Sequence, residues 1–183
     1  MSTQKIKDYI ALLKDYNDSV NIYSKNAYPH LDFHIEDSQN MAELIGNTSI
    51  TIADMGSGSG LPSIILAIMN PNNKIWAIES KGKKRTFLKQ AKETLDLENY
   101  NVFDGDTQEY ANRKIDKIDV LTAKAFAKLP KVIKIAQKMP ILKESYLLVP
   151  ITQKQVLEYD LKSTDLITKV TKSNNFIYFK QNI

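Results

Sequence analysis

Three of the chain's six glycines fall at alternate positions in one short run, Asp54-Met-Gly56-Ser-Gly58-Ser-Gly60, and no other stretch limits the fold so tightly. An apolar segment containing Ile50, Ile52 and Ala53 leads into it, and a helix-like segment from Ile64 to Met69 leads out. Strand, glycine turn and helix in that order make a βα unit. Glycine reaches positive φ without the penalty of a Cβ and lets the backbone come close to a ligand. The helix start that follows offers free N–H groups and the positive end of a dipole. At the carboxyl end of a strand, such a turn is a place for a nucleotide-like molecule.

The kind of nucleotide follows from what surrounds the glycines. A dinucleotide fingerprint requires G-x-G-x-x-G/A, whereas the reading from Gly58 ends in Ser63. A P-loop closes on G-K-S/T, and Gly82-Lys83-Lys84 does not supply it. The acid two positions before the first of three alternating glycines resembles motif I of S-adenosylmethionine methyltransferases, in which Asp54, Gly56, Ser57, Gly58, Gly60 and Leu61 would border the cofactor. The next apolar segment, Lys74 to Glu79, ends in a carboxylate. An acid about 20 residues beyond the glycine turn is where α/β nucleotide sites hold ribose hydroxyls. Glu79 suits that role, because a carboxylate accepts two hydrogen bonds from a vicinal diol.

The surrounding pattern sets the architecture. Strands are predicted near 50–54, 74–79, 100–104, 117–122 and 145–149, and helices near 61–69, 82–96 and 130–139. This alternation implies a doubly wound, mostly parallel sheet. The tail reads as two short strands, Asp165 to Val170 and Phe176 to Phe179, around a polar turn, hence an antiparallel hairpin at the sheet edge. Upstream, Ile6, Tyr9, Ile10, Leu13 and Tyr16 recur at helical spacing. A second helix is predicted from Glu36 to Ile45, with Asp37 as a cap at its start and Gly46 at its end. The expectation is a single domain: a helical N-terminal part over residues 1–46 and an α/β core over 47–183.

Composition narrows the chemistry. The chain has no Cys, which excludes a disulfide framework, a zinc–thiolate site and a thiol nucleophile. No run is long or apolar enough for a membrane span or a signal sequence, so the expected setting is cytoplasmic. The charge balance is mild, 25 basic against 21 acidic residues, so its distribution matters more than its total. Lys81, Lys83, Lys84 and Arg85 cluster just after Glu79, and six lysines between Val120 and Lys143, Lys128 and Lys131 among them, lie in a stretch without acids. These residues are candidates for RNA backbone contacts, since phosphate contacts position a nucleic acid without reading its sequence. For any single one of them a solvated lysine face is the stronger account, and the cluster beside Glu79 carries more weight than its members.

Several separated segments resemble the bacterial small-subunit (16S) rRNA guanine-N7 methyltransferases, also called glucose-inhibited division protein B. Tyr16-Asn17-Asp-Ser-Val-Asn21-Ile-Tyr-Ser24 is similar to that family's W-N-x-x-x-N-L-x-S, and His34-Ile-Glu-Asp37-Ser38 to its H-I-L-D-S. Asp54 to Pro62 resembles D-x-G-S/T-G-x-G-x-P, Glu79 to Leu88 resembles D-S-x-x-K-K/R-x-x-F-L, and Ala125 to Leu129 resembles A-F-A-x-L. The similarity runs over residues 5 to 150 with order and spacing kept. It implies a Rossmann-like, class I S-adenosylmethionine methyltransferase fold with a seven-stranded sheet. It also implies methylation of guanine N7 in 16S rRNA at the 527-type position, by a monomer without a metal. In the family pattern the residue before A-F-A is an arginine tied to cofactor or target; here it is Lys124, and the preceding serine is Ala123. The pair that meets the adenine region falls on Thr107 and Gln108, and the late L-K-G on Val149-Pro150-Ile151. His34 would shape the entrance and, with Lys124, position the substrates. Phe126 is open between packing and target contact. These departures keep two alternatives in view: a weakened or inactive relative acting as a ribosome-binding or rRNA-binding module, and a small-molecule methyltransferase.

Guanine N7 carries its own lone pair, and no proton leaves during transfer. Such a reaction needs positioning rather than a strong general base, so the lack of a His/Asp dyad agrees with it. The absence of Cys excludes the pyrimidine-C5 route through a thiolate adduct.

Overall fold

Strands that are apolar on both faces need cover on both, and this chain provides it with helices on either side of one sheet. The structure is a computed structural model and describes residues 2–183. Helices α1 (Ser2–Ser19) and α2 (Leu31–Ile45) come first, joined through a short 3-10 turn at Lys25–His30. The alternating part is β1 (Thr51–Met55), α3 (Ser63–Met69), β2 (Lys74–Glu79), α4 (Gly82–Thr94), β3 (Tyr100–Asp104), α5 (Thr107–Arg113), β4 (Ile118–Thr122), α6 (Leu129–Ala136) and β5 (Ile141–Ile151). Helix α7 (Gln153–Glu158) and strands β6 (Leu166–Val170) and β7 (Asn175–Asn182) complete it.

The sheet order is β3-β2-β1-β4-β5-β7-β6. Strands β1 to β5 are parallel, and β7 lies antiparallel between β5 and β6. The doubly wound sheet and its C-terminal hairpin therefore match the sequence reading. From β1 the chain winds outward to β3, then returns to the other side of β1 as β4. Such a reversal leaves a crevice beyond the carboxyl ends of the two central strands.

Alternation along the strands feeds two cores. Ile52, Ile75, Ala77, Val120, Leu148 and Tyr178 join residues of α1 to α4. Ala53, Ile78, Leu121, Leu147 and Phe179 join residues of α5 and α6. Helix α1 buries Ile6, Tyr9 and Leu13, a stripe at i, i+3 and i+7. Pro150 sits in β5 beyond Leu148, the last residue paired with β4, so its missing N–H leaves no gap on that side.

The structure corrects three details. Helix α2 begins at Leu31 rather than Glu36, because Leu31 and Ile35 both reach the core. Asp37 consequently lies inside the helix, buried, and caps nothing. Helices α5 and α7 are additional; each starts with a capping box, Asp106 with Glu109 and Thr152 with Gln155. Strand β5 extends well beyond 145–149. Among the described residues no helix is long and apolar enough to cross a membrane.

The segment between α1 and α2 hangs on one side chain. Buried Asn17 donates from Nδ2 to the Tyr23 carbonyl (2.8 Å) and to the Tyr28 hydroxyl (2.8 Å). Its Oδ1 accepts from the backbone N–H groups of Ile22 (2.8 Å) and Tyr23 (2.9 Å). Asn17→Ala orphans buried backbone donors, and should lower the unfolding free energy by about 3 kcal/mol, read by denaturant titration.

Candidate functional site

The crevice at the strand-order reversal is floored by the glycine turn. Gly56, Gly58 and Gly60 all have positive φ, at 74°, 59° and 98°. The turn is pinned from below: the N–H groups of Gly56 and Ser57 both donate to the Ile78 carbonyl at the end of β2 (2.9 and 3.1 Å). From α1, the Tyr9 hydroxyl donates to the Ser59 carbonyl (2.9 Å). The three glycines are needed for different reasons. A Cβ on Gly56 would stand 2.3 Å from the Phe126 ring. A Cβ on Gly58 would meet nothing nearer than 3.7 Å, so that face of the turn is open to a ligand.

Across the reversal, the Thr122 hydroxyl at the end of β4 donates to Asp54 Oδ1 (2.9 Å). Asp54 is buried, and among the described residues its Oδ2 has no hydrogen-bond partner. Burial pushes its carboxyl up to about 6, against the opposing pull of its hydrogen-bond donors, Thr122 first, and of the Lys124 charge. Glu79, also buried, accepts Gly58 N–H on Oε2 (2.9 Å) and Lys81 N–H on Oε1 (2.8 Å). Each oxygen keeps a second lone pair, so the carboxylate that shapes the turn can still receive a diol.

Lys124 follows β4 and is nearly buried. Its ammonium forms an ion pair with Asp37 Oδ2 on α2 (2.5 Å) and donates to the His34 carbonyl (3.2 Å). The other Asp37 oxygen accepts from the Tyr178 hydroxyl of β7 (2.9 Å). Desolvation lowers the Lys124 pKa, opposed by the attraction of Asp37. The His34 ring is held below its usual range by desolvation and then by the Lys124 charge, and its Nδ1 is buried without a partner.

A cavity of about 220 Å³ lies over the turn, lined by Gly56, Ser57, Gly58, Ser59 and Leu61 below and by Lys84, Lys124 and His34 at its sides. The structure thus brings together most of the expected cofactor residues and both positioning candidates. Asp54 and Glu79 stand beneath the turn, and Gly60 packs against Ile64. Thr107 and Gln108 are elsewhere, in the first turn of α5, where the Gln108 side chain donates to Asn112 (3.0 Å). Neither lines this cavity.

The basic residues divide. Lys81 and Lys83 are exposed, and Lys84 reaches the cavity. Lys128 and Lys131 are exposed at the start of α6. Arg85 is engaged internally: its guanidinium pairs with Asp104 and donates to the Ser80 carbonyl, clasping the ends of β2 and β3. Sequence reasoning missed Asp37 as the partner that holds Lys124, and Tyr178 as the donor that holds Asp37. It also missed Ile22, Tyr23 and Ser24, which roof the cavity. An acid in the interior of an amphipathic helix was the one available signal. Among the described residues no cluster of three His, Cys, Asp or Glu side chains could hold a metal ion.

Comparison with known proteins agrees with this geometry. The profile of a family described as rRNA small subunit methyltransferase G matches residues 2–182. A ribosomal RNA small subunit methyltransferase G of Brachyspira hyodysenteriae is 34% identical over 164 residues, covering 89% of this chain and 78% of its own. Among solved structures, cofactor-bound Rv0187 from MTB superposes with a TM-score of 0.66 at 11% identity, covering 97% of this chain and 88% of that one. Streptococcus mutans SMU.1697c, in complex with SAH, gives a TM-score of 0.56 at 12% identity over 82% of this chain and 98% of that one. At these identities the two structures speak for the fold.

Two outcomes follow from the turn and the acid beneath it. Gly58→Ala, with open space but left-handed φ, should cost about 1–2 kcal/mol of stability; Gly56→Ala, which also drives a methyl into Phe126, should cost clearly more in the same denaturation assay. Asp54 carries a raised pKa in the folded state, so its favourable contribution is complete below pH 3.8 and is lost as the pH rises through about 6. Between roughly pH 4.5 and 7, the stability of the wild type should therefore fall by about 2 kcal/mol relative to Asp54→Asn.

Proposed function

The chain belongs to the rRNA small subunit methyltransferase G family, and from that premise we propose that it transfers a methyl group from S-adenosylmethionine to N7 of a guanine in small-subunit rRNA, the 527-type position. The observation that carries the reading is the open glycine turn at the strand-order reversal, with unpartnered Asp54 Oδ2 below and two lysines at its rim.

The residues present fit such a cofactor. The bare face of Gly58 leaves room for it, and two buried polar atoms, Asp54 Oδ2 and His34 Nδ1, lack partners nearby. Glu79 would take the ribose hydroxyls. Lys84 offers positive charge for a carboxylate, and Asp54 offers negative charge for an ammonium. When bound, the sulfonium would supply an electrophilic methyl carbon to the N7 lone pair, with the electrons of the broken C–S bond left on sulfur. The chain's task is then to bind, align and exclude water, which is where catalysis by positioning resides. With its pKa lowered, His34 is a neutral ring at the entrance and adds no charge to a site whose product base is cationic.

Lys81, Lys83, Lys128 and Lys131 are exposed and would contact rRNA phosphates. The rRNA substrate places the reaction in the cytoplasm, and one chain carries all the residues named. The reading of the chain as a non-catalytic binding module loses ground to the Asp37 anchor, which gives Lys124 a fixed position despite the missing guanidinium fork.

The decisive assay is transfer of labelled methyl to small ribosomal subunits lacking the modification, with the modified base mapped. Label on one guanine N7 is expected; its absence beside an active family control would favour the binding module. With three or four phosphate contacts, affinity for the subunit should fall by roughly 10- to 100-fold between about 50 and 200 mM salt. Gly58→Val should abolish binding of S-adenosylhomocysteine in calorimetry.

A further inference from the structure

Lys124 and His34 line two neighbouring cavities. One cavity lies over the glycine turn. The other, about 150 Å³, lies between α2 and the carboxyl end of β5; Phe33, Phe176, Ile177 and Pro150 line its apolar side, and Asp37 and Lys124 its polar side. The function proposed above does not use this second cavity.

Its lining suits a flat aromatic ring with an acceptor on one edge. Phe33 stacks on Phe176 with ring centroids 5.0 Å apart and an interplanar angle of 27°. Phe176 is buried, yet Phe33 remains 40% exposed, a large aromatic face left open at the rim. Bases stack on such faces without regard to sequence. On the polar side, the Lys124 ammonium has three donors. Two are taken, by Asp37 Oδ2 and by the His34 carbonyl. Among the described residues the third has no acceptor.

We propose that this second cavity receives the target guanine, stacked against Phe33, with its O6 accepting the third Lys124 N–H. The proposal rests on the reading of the chain as an rRNA guanine-N7 methyltransferase and says where the base sits. O6 and N7 share one edge of guanine, so an O6 held by Lys124 sets N7 on the side of the pocket that adjoins the cofactor cavity. Adenine carries an amino donor at the corresponding position and would meet the ammonium donor to donor. The charge balance also suits the product. Asp37 neutralises Lys124, so the pair supplies a hydrogen bond without facing the newly cationic base with net positive charge. Tyr178 and Asp37 act through Lys124 and are positioning residues.

Three full-length proteins test this: wild type, Phe33→Ala and Phe33→Trp. Each is measured for affinity to S-adenosylhomocysteine and for kcat and KM on small subunits lacking the modification. Phe33→Ala should bind S-adenosylhomocysteine as the wild type does but lose roughly tenfold in kcat/KM, the scale of one base–aromatic stack. Phe33→Trp should recover most of that loss. Benzoylphenylalanine at position 33 should photo-cross-link to the methylated guanine or its immediate neighbours. If the wild type methylates its subunits and Phe33→Ala does so equally well, or the cross-link maps to a distant segment, the pocket assignment is wrong and the function proposed above stands. If the wild type binds S-adenosylhomocysteine but labels no guanine, the substrate reading fails and the assignment falls with it.

Discussion

Lys124 and Asp37 are both shut away from water, with 13% and 5% of their side chains exposed, and they meet at 2.5 Å. Each would be costly to bury alone; together, with Tyr178 and the His34 carbonyl taking up further hydrogen-bonding capacity, they are tolerated. The pair joins three segments remote in sequence: helix α2, the loop after β4, and strand β7. The N-terminal helices are thereby held over the crevice by a charge that belongs to the site itself. A lysine suits this arrangement, because a point charge needs only one carboxylate oxygen, whereas an arginine would call for a planar, two-oxygen partner.

The glycine turn is equally a product of its neighbours. Tyr9 holds it from α1, the Ile78 carbonyl from β2, and Glu79 from the same strand end. Phe126 closes down on Gly56 from the loop after β4. The family-like A-F-A segment therefore has a structural use: its aromatic ring fills the space that a side chain at position 56 would otherwise occupy.

The parts legible in the sequence are those governed by local rules. Strand alternation, helical stripes, glycines at positive φ and the acid ending β2 each follow from residues within one turn or one strand of each other. Pairings across the fold were not legible. Asp37 looked like a helix cap because serine and aspartate favour such positions, and only the apolar contacts of Leu31 and Ile35 move the helix start upstream. Arg85 counted among residues facing a nucleic acid, yet Asp104, on the neighbouring strand, claims it. Thr107 and Gln108 were assigned from resemblance alone; the structure puts both in the first turn of α5, with the Gln108 side chain in an i, i+4 pair with Asn112. The short helices α5 and α7 had capping-box signals of their own, but too few residues to show a period.

Strand β6 precedes β7 in the chain but lies outside it in the sheet, and its only ladder is the one with β7. Until β7 inserts beside β5, β6 has nothing to pair with and the free edge of β5 is bare. An unpaired edge of this kind is a template for wrong partners, and β7 is the strand that covers it. Phe176 and Ile177 lie on that strand, so the apolar side of the second cavity exists only once β7 has docked beside β5.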